Sequence, residues 1–193
     1  IFYKKFNGKS RDIILLSGDV QPIDELSSYE FSDLMLDILE KMNVKELITT
    51  GGIGLGEIPK EPKLYCTGNS KKLIKKFNNK FINEKIYGVV GPIVGVSGLL
   101  IGLAEKRDIE AIAFLAETYG HPMYIGIKGA REILRALDAK LELGVDLGKL
   151  DKEIKNVEDE MSKKTEGEVV PQSKTMKRFR RNVAGGEGVD YIG

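Results

Sequence analysis

A run of glycines in the first third of the chain has the composition of a phosphate-binding loop. Residues 51–56 read Gly-Gly-Ile-Gly-Leu-Gly and are followed by Pro59 and Pro62. Glycine lets backbone amides approach an anion closely. The dinucleotide-binding fingerprint, however, needs a further glycine where Glu57 stands, and a helix where the prolines stand. We therefore predict a structural loop at 51–56, with a phosphate site as the alternative.

Ser97 and His121 are the residues from which a hydrolase site would have to be built. Residues 95–98 read Gly-Val-Ser-Gly and approach a nucleophile elbow, but Leu99 occupies the position of the second glycine of that motif. The single histidine precedes Pro122 in a predicted turn, which is a poor position for the base of a Ser-His-Asp triad. We predict instead that Ser97 caps a helix.

Glu117 is the carboxylate best placed for chemistry, because it follows a predicted strand at the edge where open α/β sheets bind ligands. No acid–base partner stands at a suitable spacing, so we expect it to form hydrogen bonds with the following turn. Cys66 lies in an apolar strand and is predicted to be a core residue rather than a nucleophile. With one cysteine and one histidine, a disulfide or a usual zinc site is not expected. We predict no catalytic residue, no cofactor and no metal ion.

The composition is that of an ordinary globular protein. Hydrophobic residues make up 41% and charged residues 31% of 193 residues, and 30 basic residues stand against 29 acidic ones. The net charge of +1 gives no overall attraction to nucleic acid or to an anionic membrane, so neither is an expected partner. The sequence lacks a signal-peptide pattern and an apolar stretch of roughly 20 residues. A cytoplasmic location is therefore expected.

The charge is concentrated near the end of the chain. From Lys163 to Arg181 seven basic residues stand against two acidic ones, and the last residues are rich in glycine. We predict an α/β domain at 1–163, and a basic and then glycine-rich flexible tail at 164–193. The basic run lacks a nucleic-acid-binding motif, which favours a solvated tail or a segment that docks on an acidic protein surface.

The elements that would position these residues alternate between strand and helix. Strands are predicted at 12–18, 47–50, 63–67, 86–90 and 109–116, and helices after a capping box at Ser27 and Glu30, at 70–77, at 97–106 and at 128–143. Such an alternation predicts an α/β fold with a mostly parallel sheet, flanked by helices on both faces. We expect the strand at 12–18 to be buried.

A further helix is predicted at 147–161, with a narrow apolar seam. Leu147, Leu150, Ile154, Val157 and Met161 are spaced by three and four residues, in the manner of two heptads. The seam packs either on its own domain or on another subunit, and the pattern alone leaves both open.

Several short sequences occur in a fixed order along the chain. Ile-Leu-Leu-Ser-Gly-Asp-Val-Gln-Pro stands at 14–22, Ile-Thr-Thr-Gly-Gly at 48–52, Gly-Leu-Leu-Ile-Gly at 98–102 and Leu-Ala-Glu-Thr-Tyr-Gly at 115–120. In order and spacing they resemble the archaeal proteasome assembly chaperone family, from about residue 12 to residue 161.

This resemblance implies a nucleoside-phosphorylase-like α/β scaffold that is non-catalytic, forms a homo-oligomer and binds α-subunits of the 20S proteasome. Members can insert a carboxy-terminal hydrophobic-tyrosine-any motif between α-subunits. The candidate partner-binding residues are then Val189, Tyr191, Ile192 and Gly193, with the tyrosine third rather than second from the end.

Members also begin with a strand–helix unit that precedes the region resembled here. Either the given sequence is a fragment, or this member lacks that unit and another chain would have to cover its exposed sheet. The competing hypothesis is an α/β enzyme or sensor that binds a nucleoside or phosphorylated ligand near residues 51–56 and Glu117.

Overall fold

The computed structural model describes residues 1–5, 11–18, 20–83, 93–121, 124–152 and 154–155. The chain divides into two compact units, the first comprising residues 1–145 and the second beginning at Asp146. The strand predicted at 86–90 and the tail predicted at 164–193 lie outside the described residues. The domain boundary at residue 163 therefore stays a prediction.

The described part of the first unit contains five strands and four α-helices, in the order β1-β2-α1-β3-β4-α2-α3-β5-α4. The strands are β1 (Phe2–Lys4), β2 (Ile13–Leu15), β3 (Glu46–Leu55), β4 (Leu64–Gly68) and β5 (Glu110–Tyr119). The helices are α1 (Glu25–Lys41), α2 (Lys71–Phe77), α3 (Val96–Ala104), which continues into a 3-10 turn at Glu105–Arg107, and α4 (Ile127–Leu141). No helix within the described ranges has the length and apolar character needed to cross a membrane.

The described part of the sheet is mixed rather than mostly parallel. β5 lies in the centre, parallel to β3 on one side and antiparallel to β4 on the other. The reason is the short connection at 56–63, which cannot carry the chain back to the other end of the sheet, as a parallel β4 would require. β1 and β2 form a separate antiparallel pair.

β5 is buried on both faces, because helices pack against each side of it. Ala111, Ala113 and Leu115 belong to the core formed with α1 and α3. Ile112, Phe114 and Ala116 belong to the core formed with α2 and α4. The predicted α/β fold with a sheet flanked by helices is confirmed, and the double burial explains why β5 is a continuous apolar run rather than an alternating one.

The predicted strand at 12–18 is shorter and more exposed than expected. β2 spans three residues, and Leu15 and Leu16 are 59% and 49% exposed. It pairs with β1 and, within the described residues, with no strand of the central sheet. An apolar run alone cannot distinguish a central strand from one in a two-stranded ribbon, because that difference depends on pairing with distant segments.

The helix starts were predicted with mixed success. Ser70 caps α2 through a hydrogen bond from Leu73 N of 3.2 Å, as expected. α1 begins earlier than the capping box indicated, because Asp24 accepts a hydrogen bond of 2.8 Å from the amide of Ser27. Ser97 lies inside α3, whose N-cap is Gly95.

Within the second unit the structure describes a helix at 147–152 and 154–155. Asp146 precedes it and accepts a 3.0 Å hydrogen bond from the amide of Lys149. Of the predicted seam, Leu147, Leu150 and Ile154 are described, while positions 157 and 161 lie outside the described residues. The heptad-like seam therefore remains a prediction.

Candidate functional site

The glycine run predicted as a loop is part of β3. Residues 51–55 continue the strand and pair in parallel register with residues 115–119 of β5. A Cβ atom at Gly52 would lie 2.8 Å from Cγ2 of Thr118, and one at Gly54 would lie 3.3 Å from Cα of Gly120. Glycine is needed here for close packing within the sheet rather than for a turn. The loop prediction at 51–56 is therefore wrong for all but its last residue.

A cavity of about 300 Å³ opens where the parallel strands β3 and β5 end. Its lining consists of Thr50, Gly51, Gly52, Ala116, Thr118, Tyr119, Tyr124, Gly126, Gly129, Ala130 and Ile133. The threonine hydroxyls offer hydrogen-bonding groups, and the two tyrosine rings meet edge to face with centroids 5.8 Å apart. The carboxyl edge of parallel strands is where open α/β sheets bind ligands, so this is the candidate small-molecule site.

Packing accounts for at least two of the glycines around this cavity. A Cβ atom at Gly126 would lie 2.6 Å from Oγ1 of Thr118, and one at Gly129 would lie 3.0 Å from the carbonyl oxygen of Glu117. Both residues let the first turn of α4 approach β5 closely. Their presence therefore does not by itself indicate a phosphate ligand.

Glu117 lies within β5 and forms a buried polar pair with Tyr65 of β4. Its side chain is 9% exposed, and its two oxygens accept hydrogen bonds from Lys63 N at 2.9 Å and from the Tyr65 hydroxyl at 3.0 Å. Burial, together with the hydrogen bond to the Glu117 carboxylate and its charge, raises the pKa of Tyr65 to about 12. The carboxylate thus ties β4 to β5 rather than bonding to the following turn, and Glu117 does not line the cavity.

The other candidates from the sequence are Cys66, which lies in the core, and His121, which packs on Tyr119. Cys66 is buried, and desolvation raises the pKa of its thiol, so its prediction as a core residue is confirmed. The ring of His121 stacks on Tyr119, with centroids 5.5 Å apart. Within the described residues no group of three or more His, Cys, Asp or Glu side chains could hold a metal ion.

The candidate partner-binding residues Val189, Tyr191, Ile192 and Gly193 lie outside the described residues, so their role stays a prediction. The sequence prediction missed the Tyr65 hydroxyl and the tyrosines beside the cavity. One signal was present for the first: a glutamate that follows an apolar run of six residues must find hydrogen-bond donors if that run is buried. The tyrosines gave no signal, because only the fold brings Tyr124 back to β5.

Comparison with known proteins assigns the chain to a family. The sequence matches the PAC2 family over residues 1–165. This chain belongs to the PAC2 family. The resemblance to proteasome assembly chaperones found in the sequence is thereby confirmed.

Among solved structures, this PAC2 chain is similar to PbaB of Pyrococcus furiosus, which is described as an archaeal proteasome activator. The two are 30% identical with a TM-score of 0.72, over 83% of this chain and 68% of PbaB. PbaA of the same organism, an archaeal homologue of a proteasome-assembly chaperone, shares the fold at 23% identity and a TM-score of 0.58, over 81% of this chain and 60% of PbaA.

A curated but uncharacterized protein of Methanocaldococcus jannaschii is 27% identical over 162 residues, which are 83% of this chain. This PAC2 chain spans 61% of the length of that relative.

Proposed function

We propose that this chain is a non-catalytic chaperone that binds α-subunits of the 20S proteasome and promotes assembly of the α-ring. It acts in the cytoplasm and as a homo-oligomer. The observation that carries the proposal is the combined likeness in sequence and fold to PbaB, at 30% identity and a TM-score of 0.72.

The chemistry of the described residues supports a binding scaffold. Glu117, the carboxylate best placed by the sequence, has a hydrogen-bond donor on each oxygen and stabilises the sheet. Cys66 is buried with a raised thiol pKa, which disfavours the thiolate that a nucleophile needs.

Native mass spectrometry of the chain mixed with proteasome α-subunits tests the proposal. We expect a complex at micromolar concentrations, and we expect none with β-subunits under the same conditions. If no complex with α-subunits forms, or if β-subunits bind equally well, the proposed function is wrong.

We also propose that residues 164–193 form a flexible tail whose end contacts the α-subunits, through Val189, Tyr191, Ile192 and Gly193. Removing the last three residues is expected to weaken binding by about tenfold or more, because aromatic side chains often carry much of the binding free energy. Gln172→Ala in the same tail is the matched control and should bind as the unchanged chain does. Equal affinity after the deletion would refute the role of the tail.

The cavity favours a second candidate function, the binding of a nucleoside or phosphorylated metabolite. It lies beside Gly51 and Gly52, where the sequence suggested such a ligand, although Glu117 is not part of its lining. A thermal-shift screen against nucleotides and sugar phosphates tests this function, since a specific ligand raises the melting temperature. A rise in melting temperature that disappears in Thr118→Val would support the ligand site. If no compound raises the melting temperature, this second function is wrong.

A further inference from the structure

The acidic residues of α1 form one exposed surface. The helix carries five carboxylates, all exposed, and a single lysine at its last position. The carboxylates, which we call the acidic face, are Glu25, Glu30, Asp33, Asp37 and Glu40. Arg107 contacts two of them, at 3.2 Å from Asp33 and 2.7 Å from Asp37. Because one arginine and the terminal lysine of α1 oppose five carboxylates, the acidic face keeps a net negative charge.

A surface of opposite charge lies on α2 and the turn that follows it. Residues 71–80 contain five exposed lysines and no acidic residue. These lysines, which we call the basic face, are Lys71, Lys72, Lys75, Lys76 and Lys80. Lys76 donates to Glu46 at 2.6 Å, whereas no carboxylate of the described residues forms an ion pair with Lys72 or Lys75.

The sheet lies between the two faces. α1 packs on the side of the sheet where Ala113 and Leu115 point, and α2 packs on the side where Ile112 and Phe114 point. The acidic and basic faces are therefore directed away from one another. Their charges cannot pair within one copy of the chain, so charge pairing between them requires a second molecule.

Apolar side chains are exposed beside the carboxylates of α1. Ile23, Leu26 and Leu34 are 95%, 69% and 59% exposed. Leu26 lies in line with Glu30 and Asp33 on the helix surface, at spacings of four and three residues. An apolar centre with a charged rim is the usual anatomy of a protein–protein interface. Lysine side chains on a partner would supply both charge and apolar methylene stems.

We propose that the acidic face of one copy docks on the basic face of a second copy. Leu26 contacts the stems of Lys72 and Lys75, and Glu30 pairs with their ammonium groups. Because the two docking surfaces differ, the contact is head-to-tail, and its repetition produces a closed ring or an open filament. The inference rests on the homo-oligomer of the proposed function and identifies the surfaces that form it.

Sedimentation velocity of the full chain, without α-subunits, tests the proposal. We expect an oligomer at about 0.05 M NaCl that dissociates towards monomer at about 0.5 M, where screening is strong. The double variants Glu30→Lys with Glu40→Lys, and Lys72→Glu with Lys75→Glu, should each raise the dissociation constant by about tenfold or more. An equimolar mixture of the two variants should restore the oligomer, because each face again meets its opposite charge.

Glu57→Lys and Lys60→Glu, two reversals at exposed loop positions, are the matched controls and should leave the oligomer unchanged. Circular dichroism of each variant checks that the fold is kept. A monomeric unchanged chain, a double variant that keeps the full oligomer, or a mixture that stays dissociated would each overturn the proposal. A monomeric chain that still binds α-subunits would refute the head-to-tail oligomer and leave the proposed binding of α-subunits intact. A head-to-tail oligomer that binds no α-subunit would support this inference and refute that binding.

Discussion

At the residue scale, Tyr65 and Glu117 form a buried polar pair that joins β4 to β5. Tyr65 is 2% exposed and Glu117 is 9% exposed, and the hydroxyl donates to the carboxylate at 3.0 Å. A buried charge that lost this donor would keep only the amide of Lys63. The pair is therefore sensitive both to mutation and to the deprotonation of the Tyr65 hydroxyl.

The raised pKa of Tyr65 predicts a loss of stability at high pH. The folded value of about 12 exceeds the ordinary value of 10.0, so the stabilisation is complete below pH 10 and is lost as pH rises through 12. The free energy of unfolding should fall by about 2–3 kcal/mol more in the unchanged chain than in Tyr65→Phe over this range. Urea unfolding from pH 9 to 12 measures both, and parallel profiles would contradict the prediction.

Asn69 connects the end of β4 to two other elements. Its amide donates to the carbonyls of Ile101 at 3.2 Å and Ile109 at 3.1 Å, and its side-chain oxygen accepts from the amide of Ala111 at 2.8 Å. Asn69→Ala should lower the free energy of unfolding by about 2–4 kcal/mol, because several backbone groups lose their partners. Lys60→Ala, at an exposed position, should change it by less than about 0.5 kcal/mol in the same urea titration. Similar values for both variants would show that the bonds of Asn69 contribute little.

At the scale of elements, the contact between β3 and β5 depends on glycines of β3, which a hydrophobicity pattern does not identify as strand residues. β3 keeps glycine at positions 51, 52 and 54, and at position 52 a larger residue would meet Thr118. Glycine weakens a strand through its backbone entropy, so a sequence pattern scores this segment as a loop. Pairing with the rigid, buried β5 overrides that preference.

A double-mutant cycle tests this explanation. Gly52→Ala should destabilise the chain by about 1–3 kcal/mol, because its Cβ atom would lie 2.8 Å from Cγ2 of Thr118. Adding Thr118→Ala removes that atom and should recover at least about 0.5 kcal/mol through coupling. Gly56→Ala is the control, since nothing lies within 4 Å of a Cβ atom there. Additive effects at 52 and 118 would rule out the contact as the cause.

At the scale of the whole molecule, the near-neutral total charge conceals a strong separation of charges. The net charge is +1, yet the charged residues of α1 are all carboxylates apart from its last lysine, while those of α2 are all lysines. Interactions with partners depend on these local surfaces rather than on the total.

The tail is expected to contribute to binding rather than to folding. A chain that ends at Lys163 should unfold with a free energy within about 0.5 kcal/mol of the full chain, because the composition of 164–193 offers little apolar surface to bury. Thermal and urea unfolding of both chains checks this. A loss of more than about 1.5 kcal/mol would show that the tail packs on the folded part.

The sequence by itself determined the elements whose signals are local. α1, α2, α4 and β5 were predicted because helical periodicity, a serine cap and a continuous apolar run depend only on neighbouring residues. The order of short motifs likewise pointed to the family that the comparisons confirm.

Tertiary structure alone decided the rest. Residues 51–55 become a strand because β5 pairs with them. Glu117 of β5 bonds to Tyr65 of the neighbouring strand β4, and the sheet separates the opposite charges of α1 and α2. Each of these depends on contacts between segments distant in the chain. Their free energies arise only after folding has brought the segments together, so no local pattern records them.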